Sequence, residues 1–233
     1  MLEKTQGIVF NYLNYRESSV ISRIYTEDFG LQSFLMNGVR KSSRSAGPRT
    51  ALFQPLTIVN LVIYYRPGAD LHRISEVRCL QPYTSIPYDF RKSGIALFLA
   101  EVLSKSVREE TPNPDLFRFL LESLYQFDVM PDHYGNFHLQ FLLGLSRFLG
   151  FMPSSAGDLY SQLFDTAGWR QIIDPAEETA LNALLQSRSY ETHIPVSNTI
   201  RRSLLEHVMK FYDLHVANFG EIRSLTVLQE TMR

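Results

Sequence analysis

Residues 52–65 read Leu-Phe-Gln-Pro-Leu-Thr-Ile-Val-Asn-Leu-Val-Ile-Tyr-Tyr. β-Branched and aromatic residues dominate, as suits a pleated, half-buried strand. Pro55 stands near the start, where a missing N–H is tolerable on an edge or a bulge. This is the longest strand that the chain predicts, running from about Leu52 to Tyr65 and ended by Pro67-Gly68. Upstream, Ile8, Phe10 and Tyr12 alternate with Val9, Asn11 and Leu13, and Val20, Ser22 and Ile24 alternate with Ile21, Arg23 and Tyr25, which predicts two half-buried strands. Glu27-Asp28-Phe29-Gly30 turns the chain into a third strand, Leu31 to Met36, which stops at Asn37-Gly38. Downstream, Leu71 to Cys79 supplies a fifth. Five short strands in about 75 residues with no long helix fit a small closed barrel of the OB type, with other small barrels as alternatives.

Between the third and fourth strands lies Asn37 to Thr50, which holds Arg40, Lys41, Arg44 and Arg49 and no acid. Hydroxyl residues and glycines fill the gaps, leaving backbone N–H groups free for a loop that lies along phosphates. The plain alternative is a solvated hairpin tip. Charge is unevenly spread. The net charge is −1, but residues 1–80 carry ten Lys/Arg against six Asp/Glu and residues 81–233 carry thirteen against eighteen. A basic front half on a weakly acidic chain points to a nucleic-acid surface in the first half alone.

From Pro82 the apolar period changes from two to 3.6, so the chain predicts an α+β protein of two parts, a barrel over residues 1–81 and a helical domain over 82–233. A helix from about Asp89 to Arg108 aligns Ile95, Phe98, Leu99, Val102 and Leu103 on one face. The next opens with Asn113 as N-cap and Pro114 at its first position. A third, about Tyr134 to Leu149, stops at Gly150 with Pro153 beyond. Asp174-Pro175 opens a short helix, Ser197 caps the last long one, and Ile222 to Glu230 forms a tail helix. Ser154 to Gly168 shows neither clean period and predicts a surface loop.

With 233 residues, 45% of them apolar, the chain can bury one large core or two modest ones. No apolar run approaches the ~20 residues of a membrane-spanning helix, and the start lacks a signal-peptide pattern, so a cytoplasmic address is expected. Cys79 is the only cysteine, and between Val77 and Leu80 it is expected to be a buried small residue. The chain contains no phosphate-cradling Gly-rich lysine motif, dinucleotide fingerprint, His-Glu-x-x-His or Gly-x-Ser-x-Gly. His133 and His138, and His207 and His215, lack the i, i+4 spacing that brings two ligands to one metal. His215, beside Phe211 and Tyr212, is expected to be a hydrogen-bonded core or rim residue. No metal or other cofactor is expected and no enzyme activity, since the six acids of the basic half are scattered and give a nuclease no clustered metal ligands.

The order of these features resembles the RecO family of recombination mediators. The residues that carry it are Gly7-Ile8-Val9-Phe10, the turn from Tyr25 to Gly30, Asn37-Gly38-Val39-Arg40-Lys41-Ser42, Phe53-Gln54-Pro55-Leu56 and Leu71-His72-Arg73-Ile74-Ser75-Glu76. Leu149-Gly150-Phe151-Met152-Pro153 and Arg201-Arg202-Ser203-Leu204-Leu205 extend the likeness through the helices, as do Phe211-Tyr212, Leu214-His215 and Arg223-Ser224-Leu225. Many members carry four zinc-binding cysteines after the Gly-Phe-x-Pro marker; this chain has none there.

The resemblance implies a non-enzymatic, cytoplasmic, nucleoid-associated protein of DNA repair and recombination. Such a protein binds single- and double-stranded DNA, anneals complementary strands, contacts the tail of single-stranded DNA-binding protein and joins RecR to load RecA at gaps. Arg40, Lys41, Arg44 and Arg49 are then the phosphate-facing set. Tyr12, Tyr25, Phe34 and Tyr64 divide between base stacking and barrel core in a way the sequence leaves open. The helix from Tyr134 to Leu149 is implied as one wall of the partner-tail groove, with Phe141 in it and Arg147 or His138 as the rim cation, because Gln140 stands where a basic residue is expected. The rival from a different class is a non-catalytic protein–protein adaptor with a solvated basic loop and no DNA binding.

Overall fold

The computed structural model of the chain describes residues 1–39, 49–168, 170 and 172–231. Five strands, β1 (Leu2–Tyr15), β2 (Ser19–Thr26), β3 (Gly30–Met36), β4 (Ile58–Tyr64) and β5 (His72–Cys79), close a barrel in the order β1-β2-β3-β5-β4. Closure rests on the length of β1, whose first half pairs with β4 and whose second half pairs with β2, both antiparallel. The β3–β5 pair is parallel. The core inside contains Val9, Val20, Ile24, Phe34, Val59, Leu61, Ile63 and Ile74. Gly7 joins this lining because a Cβ there would stand 2.6 Å from an Ile24 methyl.

Two features differ from the alternation in the sequence. β4 begins at Ile58, six residues after Leu52, because Arg49–Phe53 forms a 3₁₀ turn and Leu56 takes a left-handed conformation (φ 64°). Its N–H donates to the Val9 carbonyl at 2.6 Å. Pro55 thus stands in the approach to the strand, outside the ladder. In β1 the register steps between Val9 and Asn11, so Phe10 is an extra, bulged residue. The parity therefore flips. Val9 faces inward, Phe10 and Asn11 face outward, and Tyr12 turns in beside the core, half-buried.

The chain divides into two compact units, residues 1–125 and 126–233. In the first, α1 (Phe90–Ser106) packs along β1, with Asp89 capping the Arg91 and Lys92 N–H groups and the Asn11 amide donating to Ser104 Oγ at 3.1 Å. α2 (Pro114–Val129) begins where the Asn113 side chain accepts from the Leu116 N–H. Phe10, Tyr25 and Phe117 stack on the outside of the barrel. Residues 109–111 cross the start of β3, where Gly30 (φ 65°) has no room for a Cβ, which would meet the Thr111 carbonyl oxygen at 2.6 Å.

In the second unit, α3 (Phe137–Phe148), α4 (Ala156–Ala167), α5 (Pro175–Gln186) and α6 (Asn198–His215) pack together, and α7 (Ser224–Thr231) follows them in the chain. Residues 156–167 are helical, where the sequence predicts a loop. Ala156, Leu159, Tyr160 and Leu163 form a buried stripe at i, i+3, i+4 and i+7. Ser155 caps the Asp158 N–H, and Gly168 ends the helix at φ 63°. Asp158 accepts from the N–H and Oγ of Ser154 and from the Gln162 amide, hydrogen bonds that hold its carboxyl below the usual range. Asn182 of α5 accepts from the Ala156 N–H. Cys79 is half-buried, less enclosed than its neighbours suggest. His215 is an exposed rim residue, stacked on Phe151 and bonded to Gln162.

Candidate nucleic-acid interface

The basic segment leaves and rejoins the barrel at two buried side chains. After β3, Asn37 accepts from Ser19 Oγ (2.9 Å) and Gly38 turns at φ 72°. Val39 then sinks fully into the barrel core. Arg40, Lys41 and Arg44 lie outside the described residues. On the returning side Arg49 is exposed at the head of the 3₁₀ turn, and four residues later Phe53 is completely buried in the same core as Val39. Val39 and Phe53, which stand before and after the cationic stretch in the chain, thus belong to one apolar cluster.

The outer face of the barrel is ordered by register. Leu13 pairs with Ile21, Ile21 with Leu35, Leu35 with Arg73, and Arg73 with Tyr64, which in turn faces Leu2. On one side of this row Arg23 pairs with Ser33; on the other Val62 lies between Lys4 and Glu76, whose carboxylate meets Arg78 at 3.6 Å. The four aromatics divide clearly. Tyr25 and Phe34 are wholly buried, Tyr12 is half-buried and accepts a bond from the Gln54 amide at 3.4 Å, and Tyr64 is exposed. Parity predicts that some must fill the core, but the Phe10 bulge decides which side Tyr12 takes. Beneath this surface Phe29, Tyr65, His72 and Phe34 form a run of ring contacts. His72 is buried, which lowers its pKa and keeps the ring neutral, with Nε2 against Gln32 Oε1 at 3.1 Å.

The three α3 residues have different surroundings. Phe141 and His138 are fully buried, and burial together with the nearby Arg201 charge lowers the His138 pKa to about 3, so this ring offers no cation to a ligand. Arg147 is exposed, with half-buried Gly144 and Phe148 beside it on the accessible stripe of the helix. The cation beside His138 is Arg201, and it is engaged. Arg201 donates to Asn136 Oδ1, Asn198 Oδ1 and the Val196 carbonyl at 2.6–2.9 Å.

Among the described residues no group of three or more His, Cys, Asp or Glu could hold a metal, and no helix is long and apolar enough to cross a membrane. The family description "Recombination protein O N terminal" matches residues 1–83, and "Recombination protein O C terminal" matches residues 87–225. The chain is 40% identical over 242 residues to a Bacteroides fragilis protein named DNA repair protein RecO, covering 99% of each chain. Proteins of the same name from Phocaeicola vulgatus and Christiangramia forsetii are 38% and 31% identical, again across 99% of each chain.

Proposed function

The chain belongs to the RecO family of DNA repair proteins, and from that premise we propose that it is a recombination mediator without catalytic activity. It binds single- and double-stranded DNA through the barrel of residues 1–81, anneals complementary strands, and joins RecR to load RecA at gaps covered by single-stranded DNA-binding protein. Its place is the cytoplasm, at the nucleoid. The observation that carries this reading is a run of four cations without an acid, Arg40, Lys41, Arg44 and Arg49, between two side chains buried in the barrel core. Cations between two residues of a packed core suit contact with phosphates, and phosphate contact is the sequence-independent part of DNA affinity.

The test is fluorescence anisotropy with a labelled single strand over a salt series. Neutralising about three phosphates gives a slope of log K against log salt of roughly −2. Replacing Arg40, Lys41 and Arg44 by Ala together should nearly flatten it. An unchanged slope in that variant assigns the loop to solvent and favours the adaptor reading.

The tail of single-stranded DNA-binding protein is proposed to dock on the accessible stripe of α3, with Arg147 receiving its carboxylates and the half-buried Phe148 its apolar side chain. His138 and Phe141 then support the helix from within. Arg147→Glu should abolish tail-peptide binding by calorimetry and leave DNA affinity unchanged; retained peptide affinity would place the tail elsewhere.

A further inference from the structure

The row of register partners across the outer barrel face, Leu13, Ile21, Leu35, Arg73, Tyr64 and Leu2, contains no acid and exposes its ends. Leu13 is 54% exposed, Tyr64 49% and Leu2 56%. Tyr64 is the row's one aromatic, and its direct cross-strand neighbour is the exposed Arg73. Side chains directly opposite on one face have Cβ atoms ~5 Å apart, so the ring of one and the cation of the other stand on neighbouring points of the same surface. The flanking carboxylate, Glu76, is already paired with Arg78 at 3.6 Å. An exposed ring, a cation beside it and an apolar track leading away match the chemistry of an unpaired nucleotide, whose base has a free face and whose phosphate carries the charge. A duplex offers phosphates and the base edges in its grooves, but keeps its base faces stacked against one another.

We propose that Tyr64 and Arg73 form a single-strand-selective subsite, Tyr64 stacking one base and Arg73 taking the adjacent phosphate. The proposal rests on the DNA-binding reading above and adds to it the groups that discriminate between the two DNA forms. The loop cations meet phosphates that either form supplies, whereas a ring can be stacked only by a base that is free.

The experiment compares anisotropy of the full chain with a labelled oligonucleotide and with its duplex, for the wild type, Tyr64→Ala and Tyr64→Phe. Loss of one stacked base corresponds to a drop of about fivefold or more in affinity. Tyr64→Ala should show it on the single strand and leave duplex affinity unchanged, and Tyr64→Phe should retain single-strand affinity, since stacking needs the ring and not the hydroxyl. Retained duplex binding also shows that the variant is folded. Arg73→Ala should weaken single-strand binding and lower its salt slope by less than one unit. Equal losses on both forms, or none on the single strand, overturn the subsite while leaving DNA binding in place. A wild type that binds neither form removes the parent reading and the subsite with it.

Discussion

The barrel and the helical unit differ in how they hold their titratable and cationic groups. On the barrel, Arg23, Arg73, Arg78 and Lys4 stand on the outer ladder, and the apolar core admits few polar groups, among them Ser22 and the His72 ring against Phe34. In the helical unit, His138, His207 and Tyr212 are buried, and Tyr160, His207 and Glu177 tie α4, α6 and α5 together at 3.3 and 3.7 Å. Burial is the main cause of every one of these histidine and tyrosine shifts. A shifted pKa here marks a scaffold held together by buried polar contacts, whereas Tyr64, Arg73 and Arg147 stand exposed to a ligand. A strand explains the contrast. Between bulges it alternates inside and outside, whereas a helix packed on several neighbours also covers the polar tips of long side chains.

The largest effect should come from removing a buried ring in each unit. Phe53→Ala and Phe141→Ala should each cost about 3–5 kcal/mol in chemical denaturation. Only Phe53→Ala should also weaken DNA binding, because Phe53 belongs to the barrel core and follows the basic segment in the chain. Equal loss of DNA affinity in both variants would break the separation of roles.

Smaller, and opposite in sign, are two hydroxyl deletions. The Tyr212 hydroxyl donates to the Leu142 carbonyl at 2.6 Å, so Tyr212→Phe should cost about 1–2 kcal/mol by urea unfolding. Tyr25, buried on the outside of the barrel, has no hydrogen-bond partner for its hydroxyl among the described residues. Tyr25→Phe should therefore be neutral or stabilising by up to about 1 kcal/mol. A destabilised Tyr25→Phe would mean that this hydroxyl is satisfied in solution.

The pH dependence should be gentler still. His138 stays neutral in the fold down to about pH 3, while in the unfolded chain it takes up a proton below its ordinary value of 6.5. The unfolded state binds more protons between those limits, so stability is complete above them and falls as pH falls through the window. His207, also lowered, acts in the same direction. Urea midpoints at about pH 7.5 and pH 5 should differ, and His138→Gln should narrow the difference; an identical difference would assign the pH dependence to other groups.

No change at all is expected from chelation. Among the described residues from Ser154 to Val196, helix caps at Ser155 and Asp174 and the bond from the Ala156 N–H to Asn182 hold α4 and α5, so a chelator should leave helicity unaltered and elemental analysis should find no stoichiometric zinc. Zinc lost together with helicity would show that part of this unit is held by a metal.

Much was legible without coordinates. Ile95, Phe98, Leu99, Val102 and Leu103 are all completely buried, as their spacing demands, and the caps at Asn113 and Ser197, with Asp174 at the opening of its helix, each accept the bond that their chemistry offers. α4 was misread because its apolar stripe is only four residues long and begins beside Gly157, although Ser155 and Gly168 punctuate it correctly. The start of β4 was misplaced because β-branched content extends across Pro55 and Leu56 while the backbone there does not. On the interface, the cationic run could be seen as a run, but the burial of Val39 and Phe53 in one core could not.

Alternation, caps and charge spacing are local properties, and from them the sequence alone determined an α+β chain with a small barrel, a helical second part and a basic segment between the third and fourth strands. Register is not local. The extra residue at Phe10, the parallel pairing of Leu35 with Arg73 and the pairing of Tyr64 with Arg73 join positions far apart in the chain. A slip of one residue reverses every side chain beyond it. Only the closed barrel, by requiring all five strands to agree on one interior, decided that Tyr12 turns in and that Tyr64 is left facing out beside a cation, and only the packing of Phe117 of α2 on the outer face covered Tyr25.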